Sequence, residues 1–170
     1  MIGGCRRTEA ATDPCEEGMS TIDLNRPIQI AIVVRDLDAK VRVWSELLGV
    51  EPAKILTTGP VEETRTEYKG AGTPGRVRVA LFDLGACHIE LLEPIGGPTV
   101  WSDHLDEHGE GLHHVGFLVD DMEPSVTAVA DLGMAVLQHA VYRNEYESGR
   151  YAYFDSQDRL GAMLEFNEVQ

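Results

Sequence analysis

Gln29-Ile-Ala-Ile-Val-Val-Arg-Asp36 and His114-Val-Gly-Phe-Leu-Val-Asp-Asp121 carry the same pattern: an alternating apolar run that ends in an aspartate. Each reads as a strand that hands over to a helix. After the first copy, Asp36 or Asp38 can cap a helix whose apolar stripe is Val41, Trp44, Leu47 and Leu48, and Gly49 suits its stop. After the second copy, Asp121 and Pro124 open a helix that carries Val126, Val129 and Leu132 and ends at Gly133. The repeat continues. Arg78-Val-Ala-Leu-Phe-Asp83 lies over Arg150-Tyr-Ala-Tyr-Phe-Asp155, and Ile89-Glu-Leu91 lies over Leu164-Glu-Phe166. In the first copy, strands are expected at Thr64–Lys69, Val77–Asp83 and His88–Leu92. In the second, they are expected at Val136–Tyr142, Arg150–Asp155 and Met163–Asn167. The chain is therefore read as a βαβββ unit used twice, an internal repeat within an α+β fold.

The first module is expected over 26–95 and the second over 112–168. A connector, 96–111, holds a short helix around Val100–His108. Residues 26–170 then form a single domain, in keeping with a chain of 170 residues. Residues 1–25 are polar and aperiodic and read as a disordered tail. Met19-Ser20 is a plausible true start, with the first 18 residues an over-extended gene model.

Composition narrows the function. Lys+Arg 14 against Asp+Glu 29 gives a net charge of −15, which repels phosphate backbones and argues against nucleic acid and anionic membranes. No apolar run is long enough for a transmembrane helix, and the N-terminus has no signal-like core. Cys5, Cys15 and Cys87 form no CxxC and no even framework, so free thiols in a reducing cytoplasm are expected.

Strand parity then separates two faces. Ile30, Ile32, Val34, Ile89, Leu91, Val115, Phe117, Leu164 and Phe166 make one face wholly apolar, to pack on the helices. The other carries Gln29, His88, Glu90, His114, Glu165 and Asn167. A carboxylate in mid-strand is costly unless paired or bound to a cation. Glu90 and Glu165 stand at equivalent places in the repeat. If the halves meet about a pseudo-twofold axis, Gln29, Glu90, His114 and Glu165 converge. That set suits one divalent ion such as Zn, Ni, Co or Mn. The alternative is that they stand apart as solvent-facing residues of an open sheet. Arg78 and Arg150, repeat-equivalent, are assigned by parity to the cavity with Ala80, Phe82, Ala152 and Phe154, as forks for an anionic substrate. His88 shares the Glu90 face and is a further substrate contact. His113 is assigned to the face opposite His114, and Tyr151 and Tyr153 to packing behind the sheet.

These motifs resemble the vicinal oxygen chelate superfamily, which includes glyoxalase I, methylmalonyl-CoA epimerase, bleomycin-resistance proteins and extradiol dioxygenases. The resemblance covers Ile28 to Glu168 and looks nearest to the epimerases. It rests on His88-Ile-Glu-Leu-Leu-Glu-Pro94, His108-Gly-Glu-Gly-Leu-His-His-Val115 and Met163-Leu-Glu165. It implies paired βαβββ modules forming an incomplete barrel around a metal cleft, with Gln29, Glu90, His114 and Glu165 at the ligand positions. Epimerases usually carry histidine at the Gln29 position, whereas some glyoxalase I enzymes use glutamine. The implied reaction is proton transfer next to a carbonyl or thioester, with Glu165 as base and Glu90 able to exchange roles with it. A confident second base is not legible. A glyoxalase I-like lyase and a non-catalytic small-molecule-binding resistance protein are the alternatives. The implied substrate is a small molecule such as an acyl-CoA, a hemithioacetal or a secondary metabolite. A homodimer is expected from the same resemblance.

Overall fold

The computed structural model of the chain describes residues 22–145 and 147–170. Most of the expected tail, with Cys5, Cys15 and the Met19 start, lies outside the described residues. The opening strand of the first repeat, β1 (Pro27–Val33), is rich in β-branched residues, which fit a pleated surface. The Asp36 carboxylate accepts the Ala39 backbone N–H at 2.8 Å and caps α1 (Leu37–Leu48). Gly49 ends that helix at φ 71°, in the left-handed region that side chains resist.

Next come β2 (Lys54–Thr57), α2 (Val61–Thr64), β3 (Glu67–Tyr68), β4 (Ala71–Gly72), β5 (Arg76–Asp83) and β6 (His88–Ile95). The connector helix α3 (Val100–Glu107) is held by a reciprocal Thr99–Ser102 capping box. The second half is β7 (Gly111–Leu118), α4 (Met122–Asp131), β8 (Val136–Arg143), β9 (Ser148–Phe154), α5 (Gln157–Leu160) and β10 (Met163–Val169). The Asp121 side chain makes no cap bond; the Glu168 carboxylate accepts the Met122 N–H at 2.6 Å and satisfies that helix start instead.

The ten strands among the described residues form one mixed sheet in the order β2-β5-β6-β1-β7-β10-β9-β8-β3-β4. Equivalent strands stand at equal distances from the β1–β7 junction, and β1 and β7 run antiparallel there. The junction is therefore a pseudo-twofold axis, and the sheet curls about it into a half-barrel with α1 and α4 outside. Outside the first half, Leu37 of α1 packs on Ala80, Phe82 and Leu91. Outside the second, Val129 and Met122 of α4 join Phe154 and Phe166, whose rings meet edge-on at 4.8 Å. Inside the curl lie Ala31, Val33, Val77, Val79, Leu92, Trp101 and Tyr153. Among the described residues, no helix is long and apolar enough to cross a membrane.

Two strand expectations are corrected. The second strand of the first module is β2, Lys54–Thr57, paired with β5; Thr64–Lys69 is not that strand. Its two-residue period is real, since Thr64, Thr66 and Tyr68 are all buried. Its partner, however, is β8 of the second half, where Glu67 pairs His139 and Tyr68 pairs Gln138. Alternation shows which residues are buried but not which strand buries them.

The second correction concerns parity in β5 and β9. Arg78 and Arg150 face the helices, not the cavity. Arg78 donates to Glu93 at 2.6 Å and to Asp38 of α1 at 2.8 Å. Arg150 bonds Glu123 of α4 and, at 2.8 Å, Glu168. Both strands are apolar on both faces, so periodicity alone left their phase open. Register decides it. Ala80 pairs Leu91 on the helix side, whereas Val79 pairs Leu92 on the inner side. Tyr151 and Tyr153 therefore line the cavity.

Candidate metal centre

The four central strands place the site. β6 runs parallel to β1, setting Glu90 beside Ala31. β7 runs antiparallel to β1, setting His114 beside Ala31 and Gly116 beside Gln29. β10 runs parallel to β7, setting Glu165 beside Gly116. The inward side chains of Gln29, Glu90, His114 and Glu165 are thus neighbours across the pseudo-twofold junction.

Their polar atoms meet. Gln29 Nε2 donates to Glu165 Oε2 at 2.7 Å and to Glu90 Oε2 at 3.0 Å, and lies 3.1 Å from His114 Nε2. His114 Nε2 is 3.1 Å from Glu165 Oε2 and 3.7 Å from Glu90 Oε2. Asn167 Nδ2 donates to Glu165 Oε2 at 2.8 Å. Gln29, His114, Glu165 and Asn167 are all buried, with His114 at 0% exposure. Two amides, of Gln29 and Asn167, face two carboxylates and His114 Nε2, and three of their N–H groups are already donated to Glu165 and Glu90, so acceptors exceed donors. A site short of protons and rich in buried negative charge is suited to a cation. The donor set of two carboxylates, one imidazole and one amide matches a divalent ion of the Zn, Ni, Co or Mn kind.

Gly116 makes the convergence possible. A Cβ there would stand 2.5 Å from Gln29 Cγ and 2.9 Å from Glu165 Oε2. His113 is also placed differently from expectation. Register jumps between Ala31–His114 and Ile32–Leu112, so His113 is the extra residue of a β-bulge. Instead of facing away from His114, it is buried, with its Nδ1 2.9 Å from His114 Nδ1.

The cavity above these groups holds about 190 Å³. Val77, Val79 and Leu92 wall one side, and Trp101, Tyr151 and Tyr153 the other; Lys54 and His88 also line it. His88 Nε2 lies 3.7 Å from Asp83. Tyr153 sits edge-on to His114 at 4.9 Å, and its hydroxyl accepts from Trp101 Nε1 at 3.3 Å. Burial, then the charges of Glu165 and Glu90, push the Tyr153 phenol well up, so it stays protonated at neutral pH. Leu56, Thr58, Trp101, Tyr142 and Tyr151 are shared with a larger groove of about 650 Å³ that also carries Arg65 and Arg143. Neither Gly116 nor the bulge is legible in the linear chain, because both matter through neighbours distant in it.

Burial and the charge of Glu165 push Glu90 up to about 7, against the opposing fields of His114 and Lys54. A raised carboxylate contributes stability that is full below its unfolded value near 4.5 and lost as pH rises through 7. Metal-free protein should therefore lose stability over that interval. Glu90→Gln should flatten the loss and, at pH 8, raise stability by roughly 2–3 kcal/mol. Urea midpoints measured in chelator at pH 5 and pH 8 check this; an unchanged or larger loss in the variant contradicts it.

Comparison with known proteins accords with this architecture. The family model described as the glyoxalase/bleomycin resistance protein/dioxygenase superfamily matches residues 28–154. The uncharacterized protein YqjC of Bacillus subtilis (strain 168) is 26% identical over 145 residues, which cover 85% of this chain and 93% of that protein. Methylmalonyl-CoA epimerase from Mycobacterium tuberculosis superposes with a TM-score of 0.65 at 19% identity, covering 91% of this chain and 94% of that one. A Streptomyces coelicolor methylmalonyl-CoA epimerase variant in complex with 2-nitronate-propionyl-CoA gives 0.61 at 25% identity, covering 85% and 97%. A methylmalonyl-CoA epimerase in complex with methylmalonyl-CoA and NH4+ gives 0.61 at 26%, covering 85% and 94%. With a family model matched over most of its length and a repeat folded into one curled sheet, the chain belongs to the glyoxalase/bleomycin resistance protein/dioxygenase superfamily.

Proposed function

We propose that this protein is a divalent-metal-dependent isomerase that moves a proton on the carbon next to a carbonyl or thioester, as an epimerase does. One observation carries the reading: a buried carboxylate, Glu165, and a largely buried one, Glu90, share a pocket with an imidazole and two amides, and acceptors there outnumber protons. Gln29, with its amide turned over so that the oxygen replaces Nε2 at the centre, would hold the ion together with Glu90, His114 and Glu165. A bound divalent ion supplies a Lewis acid that stabilises negative charge on the substrate oxygen.

The chain's own residues do the rest. Glu165 takes the α-proton, the electron pair of the broken C–H bond passes into an enolate, and return of a proton to that carbon, on its opposite face for inversion, completes the reaction. Asn167 Nδ2, donating to Glu165 Oε2 at 2.8 Å, holds that carboxylate in orientation. Glu90 is the fixed ligand, and the near-symmetry of the repeat makes it the alternative base. The apolar walls Val77, Val79 and Leu92 exclude water from the reacting carbon. The adjoining groove, with Arg65 and Arg143 in its lining, suits an extended anionic substrate such as a CoA thioester. The epimerases of 25–26% identity, solved with methylmalonyl-CoA and with 2-nitronate-propionyl-CoA, support that substrate class.

Elemental analysis after loading with Zn, Ni, Co or Mn should find one ion per chain, and combined loss of Glu90 and His114 should abolish it. A screen in D₂O over acyl-CoAs and hemithioacetals should find a substrate whose α-proton is exchanged only by metal-loaded protein. Metal retention unaffected by the double change would overturn the ligand set. Tight binding of a substrate without exchange would favour a sequestering protein.

A further inference from the structure

Two consecutive histidines on a regular strand point to opposite faces. In β7 they do not. The strand carries a one-residue bulge opposite Ala31 and Ile32, and both rings turn into the protein, at 2% and 0% exposure. Ring planes cross at 81° with centroids 5.1 Å apart, which brings His113 Nδ1 within 2.9 Å of His114 Nδ1. Only one of the two nitrogens can hold the proton between them. The far side of His113 decides which. His113 Nε2 lies 3.2 Å from the Val100 carbonyl oxygen. A carbonyl only accepts, so His113 Nε2 carries a hydrogen. In the neutral ring His113 Nδ1 is then a bare acceptor, and the shared proton sits on His114 Nδ1. In the neutral ring His114 Nε2 is left with its lone pair 3.1 Å from the Glu165 carboxylate and 3.7 Å from that of Glu90, an arrangement of acceptors that a cation set among them satisfies.

The carbonyl that starts this chain is itself held. The Val100 N–H donates to the Oε1 of Gln138, a residue with 0% exposure on β8. Thr99 caps the same turn of α3. The order therefore runs from β8 through the first turn of the connector helix to His113 and on to His114. It joins the second module and the connector to the centre at the pseudo-twofold junction.

We propose that His113 is a positioning residue that locks His114 in the tautomer presenting Nε2 to the metal, and that the β7 bulge serves to bring it there. The proposal rests on the metal-dependent reading above for its use, but the tautomer is a property of the metal-free protein. Ligating histidines depend on the partner of their other nitrogen, and loss of such a partner typically costs 10–100-fold in metal affinity.

The test begins with metal-free wild-type protein labelled with ¹⁵N-histidine, at a pH high enough to leave both rings neutral. Long-range ¹H–¹⁵N spectra should show His114 protonated on Nδ1 and His113 on Nε2. A His114 protonated on Nε2 alone overturns the proposal without any variant. His113→Phe keeps a ring but removes both nitrogens. It should raise the Zn dissociation constant about 10–100-fold, measured by competition with a chelating dye, and release His114 into a mixture of tautomers. His113→Asn offers an oxygen to the His114 Nδ1–H and should recover most of the lost affinity. Wild-type affinity and an unchanged His114 tautomer in folded His113→Phe overturn the proposal; should that variant not fold, the wild-type spectra and His113→Asn decide. Wild-type protein that takes up no divalent ion would instead defeat the metal-dependent reading, while the spectra still rule on His113.

Discussion

Glu165→Gln should cut α-proton exchange of a true substrate by about 100-fold or more, the usual scale for loss of a general base. The variant should keep its fold. The glutamine amide oxygen can still accept from Gln29 and Asn167, the two groups that donate to Glu165 Oε2 in the native protein. What disappears is the ability to take up a proton. The loss should therefore fall on kcat, with KM changed much less, because binding groups elsewhere in the cavity are untouched. Metal affinity should weaken but persist, held by Glu90, His114 and Gln29. The measurement is deuterium wash-in at the α-carbon with metal in excess, so that altered affinity does not mimic a lost base. Exchange at the wild-type rate would mean that the proton goes to another group, with Glu90 the first to examine.

The second large effect is expected at a residue with no chemistry of its own. Gly116→Ala should drop metal affinity by at least about tenfold and cost about 1–3 kcal/mol of stability, the range for overpacking a filled interior. Gly116 is not at a positive φ, so backbone freedom is not the reason. Space is. The new methyl would lie 2.5 Å from Gln29 Cγ, 3.0 Å from Gln29 Cδ and 2.9 Å from Glu165 Oε2. Two of the four converging side chains must move, and the space open to them is the cavity above, away from the point where the four groups meet. Adding Gln29→Ala removes the Cγ and Cδ that clash and should restore much of the stability but not the metal affinity. That non-additivity, read from denaturation and metal-binding measurements on the single and double variants, separates a steric cause from general destabilisation. If Gly116→Ala binds metal like wild type, the crowding does not matter to the centre.

Several features of the site could be read from one dimension, and their nature explains why. Gln29, Glu90, His114 and Glu165 share an inward face because period two holds from Gln29 to Ala31, through β6 and β10, and from His114 to Gly116, with the irregularities falling just before Gln29 and at His113. The internal repeat then indicates which strands are equivalent. Glu90 and Glu165 also stand out chemically: a carboxylate between Ile89 and Leu91, or between Leu164 and Phe166, has no reason to be there unless something positive answers it.

The misplaced residues fail for reasons that are equally physical. Arg78 and Arg150 lie on strands with two apolar faces, so alternation carries no sign there. The choice belongs to register with β6 and β10, which sets Arg78 opposite Glu93 and Arg150 opposite Glu168. His113 breaks period two because a bulge adds one residue against β1. A bulge is a relation between two strands and leaves no mark in either sequence. Thr64–Lys69 alternates correctly but pairs across the molecule with β8.

The amino-acid sequence by itself determined the twofold βαβββ repeat, the helix stop at Gly49 with a cap at Asp36 or Asp38 before it, and the four side chains that face inward. These follow from local periodicity and from the high cost of burying charge, both of which act within a few residues. Only the tertiary structure decided the phase of β5 and β9, the inward turn of His113, the need for a missing side chain at Gly116, and the distances at which the four groups meet. Each of these depends on which strand lies beside which, and at what register. Pairing between residues tens of positions apart is set by the packing of the whole sheet against its helices, which no local pattern encodes.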